Sequence, residues 1–184
     1  MRTRATYDGR QLQPHWILRT TGIAGDALVA FRGPCRIPPE QIADLEDLLA
    51  GAAIAGDDMV HFVWESFDAV DLRGAVLRQR LLAARAREIL QARTPKARHL
   101  RRDGDDLWVG DRKLSISVAA RSPVSTLIHF AVNVGTDGVP VRAIGLDALG
   151  VAPVEFAREM LARTLAEETS IDMARCKVRA RLDS

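Results

Sequence analysis

The chain has little of what usually announces a metal or nucleotide site. It holds two cysteines, Cys35 and Cys176, far apart and outside any CxxC pair or His-Cys cluster. That excludes a thiolate zinc site, and no metal-ligand set is expected. Neither GxGxxG nor GxxxxGK followed by Ser or Thr occurs, which excludes Rossmann and P-loop nucleotide sites. No apolar run of about 18 residues is present, so no membrane-spanning helix and no membrane partner are expected. The first ten residues lack the apolar segment of a secretory signal, and a cytoplasmic location is the expectation. Neither charge sign dominates: 26 Lys and Arg face 24 Asp and Glu, a net charge of +2. Such a balance gives no general drive toward nucleic acid. Internal repeats and low-complexity segments are missing as well.

What is present reads as one globular domain over residues 1–184. Hydrophobic residues make up 47% and charged residues 27%, ordinary for a chain with a buried core. Two connectors, Gly33 to Pro39 and Arg93 to Lys96, are too short to separate domains. Trp16 to Phe31 reads as strand, turn, strand, with Gly22, Gly25 and Asp26 as punctuation. Pro38 or Pro39 opens a helix carrying Ile42, Leu45 and Leu49 at helical spacing and ending at Gly51. Its other face bears Glu40, Asp44, Glu46 and Asp47, either a solvated acidic face or a magnesium or ligand contact. Met59 to Phe67 reads as a strand. Leu72 to Gln91 reads as the best helix, with Leu77, Leu81 and Ile89 in its apolar stripe. Leu107 to Ala119, broken at Gly110-Asp111, reads as a hairpin. Thr126 to Val134 is a strand and Val154 to Thr169 a helix with Phe156, Met160 and Leu161 inward; Ile171 to Lys177 reads as a further helix. This order predicts an α+β fold: a mixed, largely antiparallel sheet with helices packed on it.

Strand parity points to a pocket. Successive side chains of a strand face opposite sides. Lys113, Ser115 and Ser117 share one side, against Leu114, Ile116 and Val118. His129, Ala131 and Asn133 share one side of the next strand, and His61 and Glu65 share one side of the strand at 59–67. Short polar groups beside one Lys and a few histidines are how ligand sites are lined. The plainer alternatives are a polar sheet surface under loops, a surface lysine and satisfied core histidines. Register between strands is not readable from the sequence.

The segment Gly104-Asp105-Asp106-Leu107-Trp108-Val109-Gly110-Asp111-Arg112-Lys113-Leu114 resembles a motif of biotin–protein ligases, and a related pattern in lipoate ligases. Met59 to Asp68, Gly25 to Phe31 and Ile128 to Asn133 resemble strands of the same catalytic core, so that likeness covers about residues 25–135. The whole chain resembles domain-of-unknown-function family 366. The stretches that carry this are Tyr7-Asp8-Gly9, Gln11-Leu12, Pro14-His15-Trp16, Gly25-Asp26, Gly104 to Leu107, Arg112 to Ser115 and Ser122 to His129.

The ligase resemblance implies a class II synthetase-like fold. It places Lys113 at the carboxylate–phosphate junction of an acyl-adenylate, as the catalytic lysine. It implies Arg32 and Gly33 as the remnant of the family's glycine- and arginine-rich phosphate loop, here reading Phe31-Arg32-Gly33-Pro34-Cys35-Arg36. His61, Glu65, Asp106, Ser115, Ser117, His129 and Asn133 complete the expected substrate-binding set. ATP with magnesium are candidate cofactors without being required. The implied partners are a small carboxylic acid or acyl donor and an amine or carrier-protein lysine as acceptor. The resemblance also allows a homodimer through sheet edges. The expected activity is activation or transfer of a small acyl group, through an acyl-adenylate if ATP is used. The reading left open beside it is a non-catalytic module binding a carboxylate-bearing metabolite. Cys35, flanked by Arg32 and Arg36, is a candidate thiol of lowered pKa.

Overall fold

A computed structural model describes residues 4–68 and 70–179. Its elements run α1 (Trp16–Thr21), β1 (Ala27–Ile37), a 3-10 turn (Pro39–Gln41), α2 (Leu45–Leu49), β2 (Ile54–Ser66), α3 (Leu72–Arg93) and a second 3-10 turn (Pro95–Ala97). There follow β3 (Leu100–Asp103), β4 (Asp106–Val109), β5 (Arg112–Lys113), β6 (Ser115–Arg121), β7 (Thr126–Asn133), α4 (Leu146–Leu149) and α5 (Pro153–Lys177). One antiparallel sheet has the order β1-β2-β7-β6, and a small one the order β3-β4-β5. The fold is α+β, as the sequence predicts.

The large sheet buries two unequal faces. Val60, Phe62, Trp64, Ile128, Phe130 and Val132 meet Leu82, Ala83, Ala86 and Ile89 of α3 and Phe156, Ala157 and Met160 of α5 in the main core. Phe31, Met59, Val63 and Ala131 meet Tyr7, Ile17 and Cys35 in a smaller cluster on the opposite face. The second face supports the candidate site.

Helix α3 starts where Asp71 accepts hydrogen bonds from the Arg73 and Gly74 amides, and Pro95 prevents its continuation beyond Thr94. Its buried stripe keeps Ile89 of the three expected residues and replaces Leu77 and Leu81. Leu82, Ala83, Ala86, Ile89 and Leu90 face the sheet, while Leu77 is exposed. Ala83 and Ala86 let the helix lie close to the strands, with Leu82, Ile89 and Leu90 filling the space beside them. The expected helices at 154–169 and 171–177 form one continuous helix, α5.

Other expectations are corrected. Trp16 to Leu18 is helical, because His15 takes a left-handed conformation (φ 61°) before it and Gly22 (φ 79°) closes it. The connector at 33–37 belongs to β1, which runs on past a bulge between Gly33 and Cys35. Pro34 fits because it sits in that bulge; on its outer side β1 meets only the short segment around Tyr7, whose amide donates to Pro34 O (2.9 Å) and whose carbonyl accepts from the Arg36 amide (2.8 Å). The helix expected from Pro39 to Gly51 breaks into a 3-10 turn and the five-residue α2, whose Leu45 and Leu49 are exposed. The hairpin at 107–119 is real only around Gly110-Asp111, where Val109 pairs with Arg112. The chain then changes sheets at Leu114, whose amide donates to Leu107 O (2.8 Å) and whose carbonyl accepts from the Asn133 amide (2.9 Å). Strand β3 is an addition that the sequence pattern did not indicate. Among the described residues no helix is long and apolar enough to cross a membrane.

Candidate functional site

A cavity of about 370 Å³ lies against the second face of the large sheet and wraps the β6 edge. Met59, Ile116, Val118, His129 and Asn133 form its floor, and the segment from Ile37 to Ala55 and residues Val139 to Val141 cover it. Lys113, Asp105 and Asp106 close one end. Volumes of this order suit a small ligand.

Lys113 is held tightly by its backbone and loosely by its head. Its amide donates to Arg142 O (2.9 Å), and its carbonyl accepts from the Ile144 amide (3.0 Å) and from Asn133 Nδ2 (3.2 Å). Cross-strand pairing with Trp108 puts both on one face of the small sheet, with Nζ 5.7 Å from the indole centre. Asp106, two residues from Trp108 on that face, meets Nζ at 2.9 Å. A quarter of the Lys113 side chain stays exposed. Burial raises the Asp106 carboxyl above its ordinary pKa, and the bond to Lys113 only partly opposes this. Lys113 is the lone cation among the described lining residues, against the carboxylates of Asp44, Glu46, Asp47, Asp105 and Asp106.

Register separates groups that parity alone had placed together. Ser115 and Ser117 lie opposite Val132 and Phe130, on the α3 side of the sheet, whereas His129 lies opposite Val118. The serines reach the cavity only around the β6 edge. Their hydroxyls are committed: Ser115 Oγ accepts from the Leu107 amide (2.9 Å), and Ser117 Oγ donates to Asp105 (2.7 Å) while accepting from Gln79 (2.9 Å). Gln79 also donates to Asp105 at 2.8 Å, and Arg80 pairs with the same carboxylate at 3.1 Å. These contacts fix the turn at Gly104-Asp105 that leads into Asp106 at the start of β4.

Under the cavity lies a stack of rings. Tyr7 lies flat on His129, with centroids 3.5 Å apart and planes within 6°. His61 is next, 5.3 Å from His129, and Phe31 stacks on His61 at 5.0 Å. His61 does not line the cavity; it sits behind His129, with Nδ1 3.1 Å from His129 Nε2 and Nε2 3.1 Å from Gly33 O. Burial pushes the His61 pKa down to about 4, against the pull of the Gly33 carbonyl and of Asp58. His129 is pushed well below its ordinary value by burial and by its neighbour His61. Burial also raises the Tyr7 phenol, so it stays protonated. Both imidazoles are therefore neutral near pH 7.

Arg32, Gly33 and Glu65 do not line the cavity. Arg32 forms a two-pronged pair with Asp58, at 2.8 Å and 2.5 Å. Gly33 is a packing position: a Cβ there would come within 2.1 Å of Ala5 O. Glu65 is buried and accepts from the His15 amide (2.7 Å) and Ser125 Oγ (2.9 Å), anchoring the start of α1. The expectation of a lowered Cys35 pKa is overturned. That thiol is fully buried, and burial pushes it up to about 12 despite Arg36. Cys176 is exposed on α5. Tyr7, Gln79 and Trp108 had no assigned role in the sequence. Tyr7 and Trp108 stood inside motif stretches, while nothing local marked Gln79.

Comparison with known proteins extends this picture. Uncharacterized protein MJ0805 of Methanocaldococcus jannaschii is 36% identical over 173 residues, spanning 91% of this chain and 77% of the relative. A structure described as Protein of Unknown Function from Pyrococcus horikoshi superposes with a TM-score of 0.91 at 43% identity, covering 97% of this chain and 95% of that one. Biotin protein ligase from Aquifex aeolicus in complex with biotin and ATP superposes with a TM-score of 0.55 at 14% identity, covering 90% of this chain and 68% of that one. This last likeness is one of fold: the chain has a ligase-like fold. The model of the family described as Domain of unknown function (DUF366) matches residues 1–179, and the chain belongs to that family.

Proposed function

We propose that the cavity binds a small carboxylic acid or acyl donor, with Lys113 against the carboxyl or acyl oxygens, and that the chain transfers the acyl group to an amine. The observation that carries this reading is the placement of Lys113. Among the described residues it is the single cation on the cavity wall, backbone-clamped, with its head paired to the exchangeable carboxylate of Asp106. The ligase-like fold supports the same reading at the level of architecture and not of reaction.

ATP with magnesium is the group that the resemblance suggests. The lining residues do not fit a triphosphate. One ammonium faces five carboxylates, and Arg32, the other candidate anion contact, is bound to Asp58 outside the lining. A polyanion would meet a repulsive field there. The transfer proposed for this site therefore runs without the nucleotide. Direct transfer from an activated donor such as a thioester asks less of the site. The amine attacks the acyl carbon, the C–S bond breaks, and the amine's proton ends on the departing thiol. Lys113 would hold the acyl oxygen as negative charge develops on it. The acidic rim at Asp44, Glu46 and Asp47 suits a cationic amine approaching from solvent, which gives its extra proton to water before the neutral amine attacks. No nucleophile of the chain is needed, in keeping with a buried, high-pKa Cys35 and tied serine hydroxyls.

The test offers the purified chain a panel of acyl thioesters with a lysine amide and follows amide formation by mass spectrometry. Pyrophosphate release with ATP, magnesium and free acids runs in parallel. Amide formation from thioesters that disappears in Lys113→Ala is the expected result. Pyrophosphate release would replace direct transfer with adenylation. Ligand-induced thermal stabilisation with no product in either assay would leave a binding module and remove the enzyme reading.

A further inference from the structure

The hydrogen bonds of the ring stack fix the proton positions, and these specify what the cavity can recognise. A carbonyl oxygen only accepts, so His61 Nε2, 3.1 Å from Gly33 O, carries the hydrogen. His61 is a neutral ring, so its Nδ1 is a lone pair. It stands 3.1 Å from His129 Nε2, which must then be the donor. His129 is neutral too, which leaves its Nδ1 as a bare acceptor. Among the described residues no donor meets Nδ1 or the Tyr7 hydroxyl, although both side chains are about 99% buried, at 1% exposure each, and both line the cavity. The fully buried unpaired side-chain atoms among the described residues are Thr164 Oγ1 and Glu168 Oε1, so the little surface that Nδ1 and the phenol keep opens to the cavity, where a ligand or water can answer them.

We infer that this end of the cavity receives a neutral amide-like group, its N–H given to His129 Nδ1 and its carbonyl oxygen taken by the Tyr7 hydroxyl. Asn133, whose side chain holds the Lys113 carbonyl, lies four residues along β7 from His129, roughly 13 Å of extended strand. The ligand is thus an elongated acid: carboxylate at Lys113, amide-like donor at His129. The Lys113 half rests on the reading of the preceding section; the His129 half stands without it.

The experiment compares four probes by calorimetry: suberic acid monoamide, its monomethyl ester counterpart, octanamide and methyl octanoate. The amide should bind roughly tenfold more tightly than the ester in each pair, the worth of one desolvated hydrogen bond. His129→Gln keeps a donor for His61 Nδ1 at the Nε2 position and takes the acceptor away from the Nδ1 position, so both gaps should close. His129→Asn keeps an acceptor near the Nδ1 position and should retain part of each gap. Imidazole nitrogen spectra of the labelled wild type should show both rings protonated on Nε2. The inference is overturned by equal affinity of amide and ester, by a gap that survives His129→Gln, by no binding of any probe, or by a proton on His129 Nδ1. If octanamide keeps its advantage while Lys113→Ala leaves the monoamide's affinity unchanged, the carboxylate reading falls and the His129 site stands.

Discussion

Asp106→Asn isolates the competition at the head of the cavity. In the folded chain Asp106 occupies, at 2.9 Å, the ammonium that the proposed ligand anion would have to reach. At that distance two unit charges attract by about 1.4 kcal/mol in water and about 6 kcal/mol at an effective dielectric of about 20. Both side chains keep about a quarter of their surface exposed (25% and 27%), so the pair lies toward the aqueous end. After the entropy of holding two side chains is charged against it, the net worth is about 1 kcal/mol. The variant should therefore bind an alkyl sulfonate, which stays ionised throughout, about five- to tenfold more tightly than the wild type. The pH dependence should change as well. An anion at Lys113 leaves the Asp106 carboxylate without its counter-charge, so binding takes up a proton. Wild-type affinity should rise as pH falls toward the Asp106 pKa, which burial already holds above the ordinary carboxylate value. In Asp106→Asn that slope should vanish. Calorimetry at several pH values, with melting curves as a check on folding, measures both effects. Unchanged or weaker sulfonate binding by the variant would refute the competition and the anion site with it.

Further tests reach the scaffold. Gly33→Ala should cost about 2–4 kcal/mol in urea unfolding, because its Cβ would come within 2.1 Å of Ala5 O, a backbone atom held by the Ala5 amide's bond to Arg32 O; a loss well under that range would mean that the backbone around Ala5 yields freely. The depressed pKa values of His61 and His129 mean that the unfolded chain binds protons more readily than the folded one. Stability should thus be full above pH 6.5 and fall toward pH 4, by up to about 1.4 kcal/mol per pH unit for each ring. A flat stability profile across that window would contradict neutral buried histidines. Iodoacetamide at mildly alkaline pH should add one group per folded chain, at Cys176, with Cys35 reacting only after denaturation. Rapid labelling of Cys35 in the native protein, read by peptide mass, would show that the cluster around Tyr7 opens.

Much of the site was legible because its residues sit in strands with clean alternation. The strands at 59–67 and 126–134 and the motif around Lys113 fell where periodicity and motif put them. The wall of the cavity includes Lys113, Asp106, Ser115, Ser117, His129 and Asn133, all named from the sequence. Arg32, named from the resemblance to the phosphate loop, and Glu65, named from strand parity, lie elsewhere, because each met a partner distant in sequence. Asp58 is 26 residues from Arg32, and Ser125 is 60 from Glu65.

The sequence by itself determined the element types of the long segments, the α+β class and the face that each strand residue shares with its neighbours two positions away. All of these follow from local periodicity and chain stereochemistry. Only the tertiary structure decided the register of β6 on β7, which sends the two serines to the α3 side and leaves His129 to the cavity. It also decided which charges neutralise one another and how Tyr7 comes to lie on two histidines. A slip of one residue between strands would exchange the two faces without altering the pattern within either strand, so that choice rests on contacts made across the fold.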